Sequence, residues 1–126
     1  MPKRVITGNG IPPSTLPFSQ VVEANGFVFV AGQVGTVPAR GVKIEGDIEA
    51  EVRQMLDNVG TLLRAVGLDY VDVVKATVYL VDFDDFARMN AVYREYFPAD
   101  PPTRATVGVM RLAADYRVEI EVVATR

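Results

Sequence analysis

Residues 27–30 read Phe-Val-Phe-Val, so any strand through them is apolar on both faces. They follow Asn25-Gly26, and an Asn-Gly pair between β-branched runs is a strong hairpin signal, because both residues tolerate φ > 0. A hairpin over Gln20–Gly32 therefore needs cover on two sides. Helices can supply one side of a two-layer domain. The other side needs a second protein surface, or it would expose a large apolar patch. The hairpin predicts a chain that associates with itself.

The rest of the chain supplies the helices. Asp47 can cap a helix in which Ile48, Val52, Met55, Leu56, Val59, Leu62, Leu63 and Val66 recur at three- and four-residue steps, and Gly67 is placed to end it. A second helix is expected over Phe83–Tyr96, with Phe86, Met89, Asn90, Tyr93 and Phe97 on one side, before Pro98, Pro101 and Pro102 break it. Strands are expected over Val73–Val81, Thr103–Met110 and Tyr116–Ala124. The first 20 residues, with Gly8, Gly10, Pro12, Pro13 and Pro17, read as irregular, and residues 33–46 read as a loop. The order predicts one α+β domain over residues 1–126, a mixed sheet with two helices on one face.

Strand alternation then sorts the side chains. Val118, Ile120, Val122 and Ala124 share one face of the last strand, and Arg117, Glu119 and Glu121 share the other. Ala105, Val107 and Val109 oppose Arg104, Thr106 and Gly108 in the strand before it. With the apolar sets turned to the helices, Arg104, Thr106, Glu119 and Glu121 all point away from them. Alternation also sets Glu119 nearer than Glu121 to the row of Arg104. A helix-free face with both apolar groups and charges predicts a subunit interface containing a polar site.

Composition narrows the chemistry. The chain has no Cys and no His, which removes thiolate nucleophiles, disulfides, Cys-ligated zinc, the usual Ser-His-Asp triad and imidazole metal sites. No calcium-loop or phosphate-loop spacing is present, so neither a metal nor a cofactor is expected. Net charge is −3, from 13 Lys and Arg against 16 Asp and Glu, with the cations spread along the chain. A nucleic-acid partner would need a concentrated basic footprint. No run approaches the roughly 20 apolar residues of a membrane span, and Met-Pro-Lys-Arg does not open a signal region. A soluble cytoplasmic protein is expected.

Each candidate residue has a structural and a functional reading. Glu119 and Glu121 form a solvated or ion-paired sheet face, or one of them is a desolvated general base to water. Arg104 is an ion-pair partner, or a fork that grips a substrate carboxylate. Gly32 ends a strand, or lets backbone approach a ligand. Asn90 cross-links loop backbone or touches substrate, and the first is the commoner case. Lys75 shares a strand face with Thr77 and Tyr79, and a snorkelling role outweighs a Schiff base there.

Asp57-Asn-Val, Ala65-Val-Gly-Leu-Asp, Val73-Val-Lys-Ala-Thr-Val-Tyr-Leu, Asp85-Phe-Ala-Arg-Met-Asn-Ala-Val-Tyr, Pro102-Thr-Arg-Ala-Thr-Val and Val118-Glu-Ile-Glu-Val-Val-Ala follow one another. Together they closely resemble the Rid (YjgF-type) family of reactive intermediate deaminases, from about Leu16 to Ala124. The resemblance implies the fold of the trimeric chorismate mutases, with helices outside a central barrel and a cleft between each pair of subunits. It implies hydrolysis of enamines and imines of short 2-amino acids, such as 2-aminoacrylate and 2-iminopropanoate, to 2-keto acids without a cofactor. Arg104 matches the residue that holds the substrate carboxylate, and Glu119 the one that positions or activates water. Gly32 matches a backbone ligand contact and Asn90 the helix-borne asparagine. Phe18, Ala31 and Thr106 depart from the usual Tyr, Ser and Cys, which bears on the choice of substrate.

Two further classes stand beside the deaminase: a trimeric small-carboxylate binder that has lost efficient catalysis, and an RNA-cleaving or translation-inhibiting protein. Phe18 is the feature that favours the first. The acidic balance and scattered arginines argue against the second.

Overall fold

The computed structural model describes residues 2–126. Strands β1 (Arg4–Ile6), β2 (Val21–Ala24) and β3 (Phe27–Val34) come first, followed by the short pair β4 (Thr36–Val37) and β5 (Val42–Lys43). Helix α1 (Ile48–Ala65), strand β6 (Val73–Leu80), helix α2 (Phe86–Tyr96) and strands β7 (Thr103–Gly108) and β8 (Val118–Thr125) complete the chain. The large sheet has the order β1-β2-β3-β8-β6-β7. Only β6 and β7 run parallel; the other neighbours are antiparallel. This is the mixed sheet with two packed helices that the pattern predicts.

Local signals act where the sequence placed them. Asn25 and Gly26 carry φ of 53° and 80° and turn the first hairpin, which pairs Phe27 with Ala24. The Asp47 carboxylate accepts from Ala50 N–H at 3.0 Å and caps α1. At the other end Gly67 takes φ of 81°, while Leu68 N–H returns to the Leu63 carbonyl at 2.9 Å, the double-bonded glycine stop of many helices.

Val21, Val28, Val30, Ala76, Val78, Leu80, Val118, Ile120, Val122 and Ala124 project from the sheet into one core. Val52, Met55, Leu56, Val59 and Leu63 of α1 and Met89 and Val92 of α2 close over them. Glu51 is a fully buried carboxylate in this layer. It accepts from the Arg117 N–H at 2.7 Å and from the Arg117 Nε at 2.6 Å, which pins the start of β8 to α1.

Three expectations need correction. Residues 4–6 are not irregular: they pair with 21–23, an arrangement set by a distant partner rather than by local pattern. The segment 33–46 is not all loop, since β3 continues to Val34 and a small hairpin follows. Arg117 does not share the face of Glu119, because β8 begins one residue later and the Arg117 side chain turns to Glu51.

The helix-free sheet face is as apolar as the hairpin required. Phe27, Phe29, Val74 and Val107 are 43%, 46%, 39% and 40% exposed on it, beside Thr77, Tyr79, Glu119 and Glu121. Among the described residues no helix is long and apolar enough to cross a membrane.

Candidate active site

Glu119 is placed by an irregularity in the ladder between β3 and β8. Val30 faces Val122 and Gln33 faces Ile120, so Ala31 and Gly32 together stand opposite the single Glu121. Such a bulge re-aims side chains and recurs near functional sites. Here it turns Gly32 toward Glu119. A Cβ at position 32 would collide with the Oε2 of Glu119, so the carboxylate lies directly against glycine backbone. Gly32 is therefore more than the end of a strand, because β3 runs two residues beyond it.

The electrostatics of this half favour a protonatable carboxyl. Burial, and then the negative charge of Glu121, hold the Glu119 carboxyl above its ordinary value of 4.5. Glu121 is more exposed and accepts a short hydrogen bond from the Tyr79 hydroxyl. That bond, helped by partial burial, pushes the phenol of Tyr79 up to about 12. Two carboxylates on one strand face thus have unlike surroundings. Lys75, on the same face, donates to Thr77 Oγ1 at 3.3 Å and is exposed.

Arg104 lies elsewhere. In the parallel ladder Ala76, Val78 and Leu80 pair with Arg104, Thr106 and Gly108, and Ala76, Val78 and Leu80 all face the core. Arg104 and Thr106 are thus on the helix side, opposite to the expected one. The guanidinium carbon sits 4.6 Å from the ring centre of Tyr93 and 5.6 Å from that of Phe86, both on α2. The expectation failed because β7 is an edge strand: its apolar Ala105 and Val107 join the exposed face instead of the core. The row assignment fails with it. Arg104 aligns through Ala76 with Val122, next to Glu121, whereas Glu119 aligns with Tyr79 three residues along.

Among the described residues no carboxylate lies within 4.0 Å of the Arg104 guanidinium. It opens instead on a cleft of about 370 Å³ lined by Asn90, Tyr93, Arg94, Phe97, Pro101, Pro102 and Arg104. Asn90 is half-buried there on α2. Loop cross-linking belongs to Asn58, whose amide donates to the Val34 and Thr36 carbonyls at 2.9 and 2.8 Å. Phe18 is 50% exposed and lines a different cleft, with Val5, Ile6, Pro12 and Gln20. The Gln20 carbonyl accepts from Ala31 N–H at 2.8 Å, which docks the Phe18 segment beside the bulge. Within one chain, then, Gly32 and Glu119 meet at the β3–β8 bulge, Phe18 lines a separate cleft with β1, and Arg104, Thr106 and Asn90 belong to the α2 side.

Tyr79, Tyr93 and Phe86 escaped notice as site neighbours, although the sequence held the signal. Tyr79 shares a strand face with Thr77, and Phe86 and Tyr93 flank Asn90 at four and three residues along one helix side. The family model described as endoribonuclease L-PSP matches residues 10–126.

The chain belongs to this family, which is the Rid family of the sequence resemblance. Among its members a RutC family protein of Pyrococcus horikoshii is 44% identical over 122 residues, 97% of either chain. A 2-iminobutanoate/2-iminopropanoate deaminase of Capra hircus is 40% identical over 124 residues, 98% of this chain and 90% of the relative. The crystal structure of E. coli TdcF with bound serine matches with a TM-score of 0.88 at 36% identity, covering 98% of each chain. As a Rid-family domain the chain has its fold set over nearly its whole length, with the bulge, the cleft and the exposed apolar face all inside the matched region.

Proposed function

We propose that this protein hydrolyses short 2-imino acids and their enamine tautomers to 2-keto acids and ammonia, in sites completed by two copies of the chain. The observation that carries the reading is Arg104: a half-buried guanidinium, stacked on aromatic rings, with no carboxylate among the described residues to neutralise it. Such a fork is fitted to a ligand carboxylate, which it can bind through two parallel hydrogen bonds. The Capra hircus relative named for 2-iminobutanoate and 2-iminopropanoate supports the substrate class.

The need for a second copy follows from distances. In a 2-imino acid the carboxylate carbon is bonded to the reacting C2, so the anchor and the base must lie within a few ångströms of one another. Arg104 and Glu119 are two strands and three residues apart, roughly 14 Å between backbones at ordinary sheet spacings, and they leave opposite faces. No single chain can bring both to one small molecule. The exposed face with Phe27, Phe29 and Val107 supports burial against another copy, in the homotrimer that the resemblance implies.

In the proposed reaction Arg104 of one copy holds the carboxylate and fixes C2 near Glu119 of the next. Glu119 accepts a proton from water as the water oxygen bonds to C2 and the C=N electron pair moves to nitrogen. With the imine nitrogen protonated at the outset this leaves a neutral carbinolamine. The carboxyl then gives its proton to the amino nitrogen, the C–N bond breaks to release ammonia, and the carbinol O–H yields its proton to solvent as the C2=O bond forms. Gly32 lets backbone sit against that carboxyl. No step requires a metal or an organic cofactor.

An RNA-directed activity, the sense of the family's description, finds less support. Seven of the 13 Lys and Arg residues are already paired with carboxylates, and the net charge is −3. Ammonia release from freshly generated 2-iminopropanoate tests the reading. Release at the uncatalysed rate by the assembled protein would overturn it.

A further inference from the structure

We infer that Tyr93, with Phe86, is a positioning residue that holds the Arg104 guanidinium by its face and so leaves its N–H edges free for the substrate carboxylate. The inference rests on the proposed role of Arg104 and adds the element that fixes it. Among the described residues Arg104 lacks the usual restraint on an arginine, a carboxylate partner. Arg53, Arg88, Arg117 and Arg126 each spend their N–H groups on Asp or Glu oxygens at 2.6–3.3 Å. Arg104 meets two rings instead, at 4.6 and 5.6 Å from the guanidinium carbon. Both separations lie within the range of cation–π attraction, about 6 Å.

The two restraints differ in what they leave over. A carboxylate partner consumes donors in the guanidinium plane and cancels the charge. An aromatic face touches the cation from above and consumes neither. An arginine that must grip an incoming anion is served by the second kind. The stack also removes rotamer freedom before the ligand arrives, so less is lost when the carboxylate binds.

The helix explains how the rings are delivered. Phe86 and Tyr93 are seven residues apart on α2, two turns, with Asn90 between them on the same side. All three therefore meet the edge strand that carries Arg104. Tyr93 is 6% exposed, and its hydroxyl is buried without a hydrogen-bond partner among the described residues. An unpartnered buried hydroxyl is unfavourable, so the ring and not the O–H accounts for an aromatic residue here. Burial raises the phenol pKa, and Arg104 opposes that rise by its charge and by its approach to the hydroxyl.

Binding of 2-oxobutanoate to the assembled protein, measured by calorimetry, tests the inference beside steady-state kinetics. Tyr93→Leu is expected to weaken binding about 5- to 30-fold and to raise KM with kcat nearly unchanged, because the stack serves ground and transition states alike. Tyr93→Phe keeps the ring and is expected to bind as the wild type does. Phe86→Leu, at the longer distance, is expected to lose about two- to fivefold and serves if Tyr93→Leu fails to fold. In an Arg104→Lys background the loss from Tyr93→Leu should shrink, since lysine keeps the charge but stacks less well on the ring. A folded Tyr93→Leu or Phe86→Leu protein with wild-type affinity would overturn the inference alone. So would an equal loss in the Arg104→Lys background. Wild-type protein that binds no 2-oxobutanoate would overturn the functional reading beneath it.

Discussion

Arg104 and Glu119 leave opposite faces of one sheet, Arg104 toward the rings of α2 and Glu119 toward the bulge at Gly32. This relationship orders everything else about the molecule. On the proposed reading it divides the candidate residues into two half-sites, each insufficient alone for a molecule as small as a short 2-imino acid. On that reading it also gives the exposed apolar face a purpose, since a second copy seated there would bring the halves together.

Complementation between variants follows from that division. Arg104→Lys and Glu119→Gln proteins, each weakly active alone, should recover activity when co-expressed as mixed trimers. In each mixed trimer about one site in three would combine an intact Arg104 with an intact Glu119 from the next copy. Mixed trimers isolated through two different tags, assayed for ammonia release, give the measurement. Activity no higher than the parents' mean would place both residues in one chain's site.

Arg104→Lys should keep the fold and lose most turnover. Lysine retains the charge but offers no planar fork, and it stacks less well on Tyr93. Losing one charge-assisted hydrogen bond costs about 1.5–3 kcal/mol, or roughly 10- to 150-fold in kcat/KM. An unaltered kcat/KM in a folded Arg104→Lys protein would remove Arg104 as the carboxylate anchor.

Glu23 governs part of the acid stability. Hydrogen bonds from Arg126 at 2.8 and 3.1 Å and from Arg4 at 2.9 Å hold its carboxyl down to about 2, against an ordinary 4.5. A folded-state value below the unfolded one means stability that is complete above about pH 4.5 and lost as pH falls through about 2. Glu23→Gln should therefore flatten the pH dependence of the urea midpoint across that window, while lowering the midpoint at neutral pH. An unchanged slope between pH 5 and 2.5, roughly the window's limits, would mean that the ion pair is absent in solution.

The periodic elements were legible because burial repeats along them. Val52, Met55, Leu56, Val59 and Leu63 face one core, and Val118, Ile120 and Val122 alternate as a half-buried strand must. The side of β7 was not legible. Alternation separates Arg104 from Ala105, but which set meets the helices depends on whether the strand's apolar face meets its own core or another chain. Asn58 and Asn90 pose the same difficulty. Both are helical asparagines, and only the position of the β3–β4 turn gives the cross-linking role to Asn58. The bulge at Ala31-Gly32 needed the β8 register, which no local pattern contains.

The two carboxylates on β8 should separate in a pH profile. Burial first, and the charge of Glu121 second, keep the Glu119 proton on to a higher pH than an ordinary glutamate. If the ionised Glu119 is the base, the acidic limb of kcat/KM lies above 4.5 for that reason. Glu121→Gln removes the negative neighbour, so Glu119 releases its proton more readily and the limb moves to lower pH. Burial is the larger cause and is untouched, so the limb should remain above the ordinary value, with the plateau changed little. Glu119→Gln keeps shape and hydrogen bonding but removes the base, and should lower the plateau by about 10²–10⁴-fold in an intact assembly. The variants are compared by ammonia release between pH 4 and 9, roughly the range that brackets both limbs. If Glu121→Gln lowered the plateau as far as Glu119→Gln and left the limb in place, the base would be Glu121, held by Tyr79, and Glu119 its neighbour.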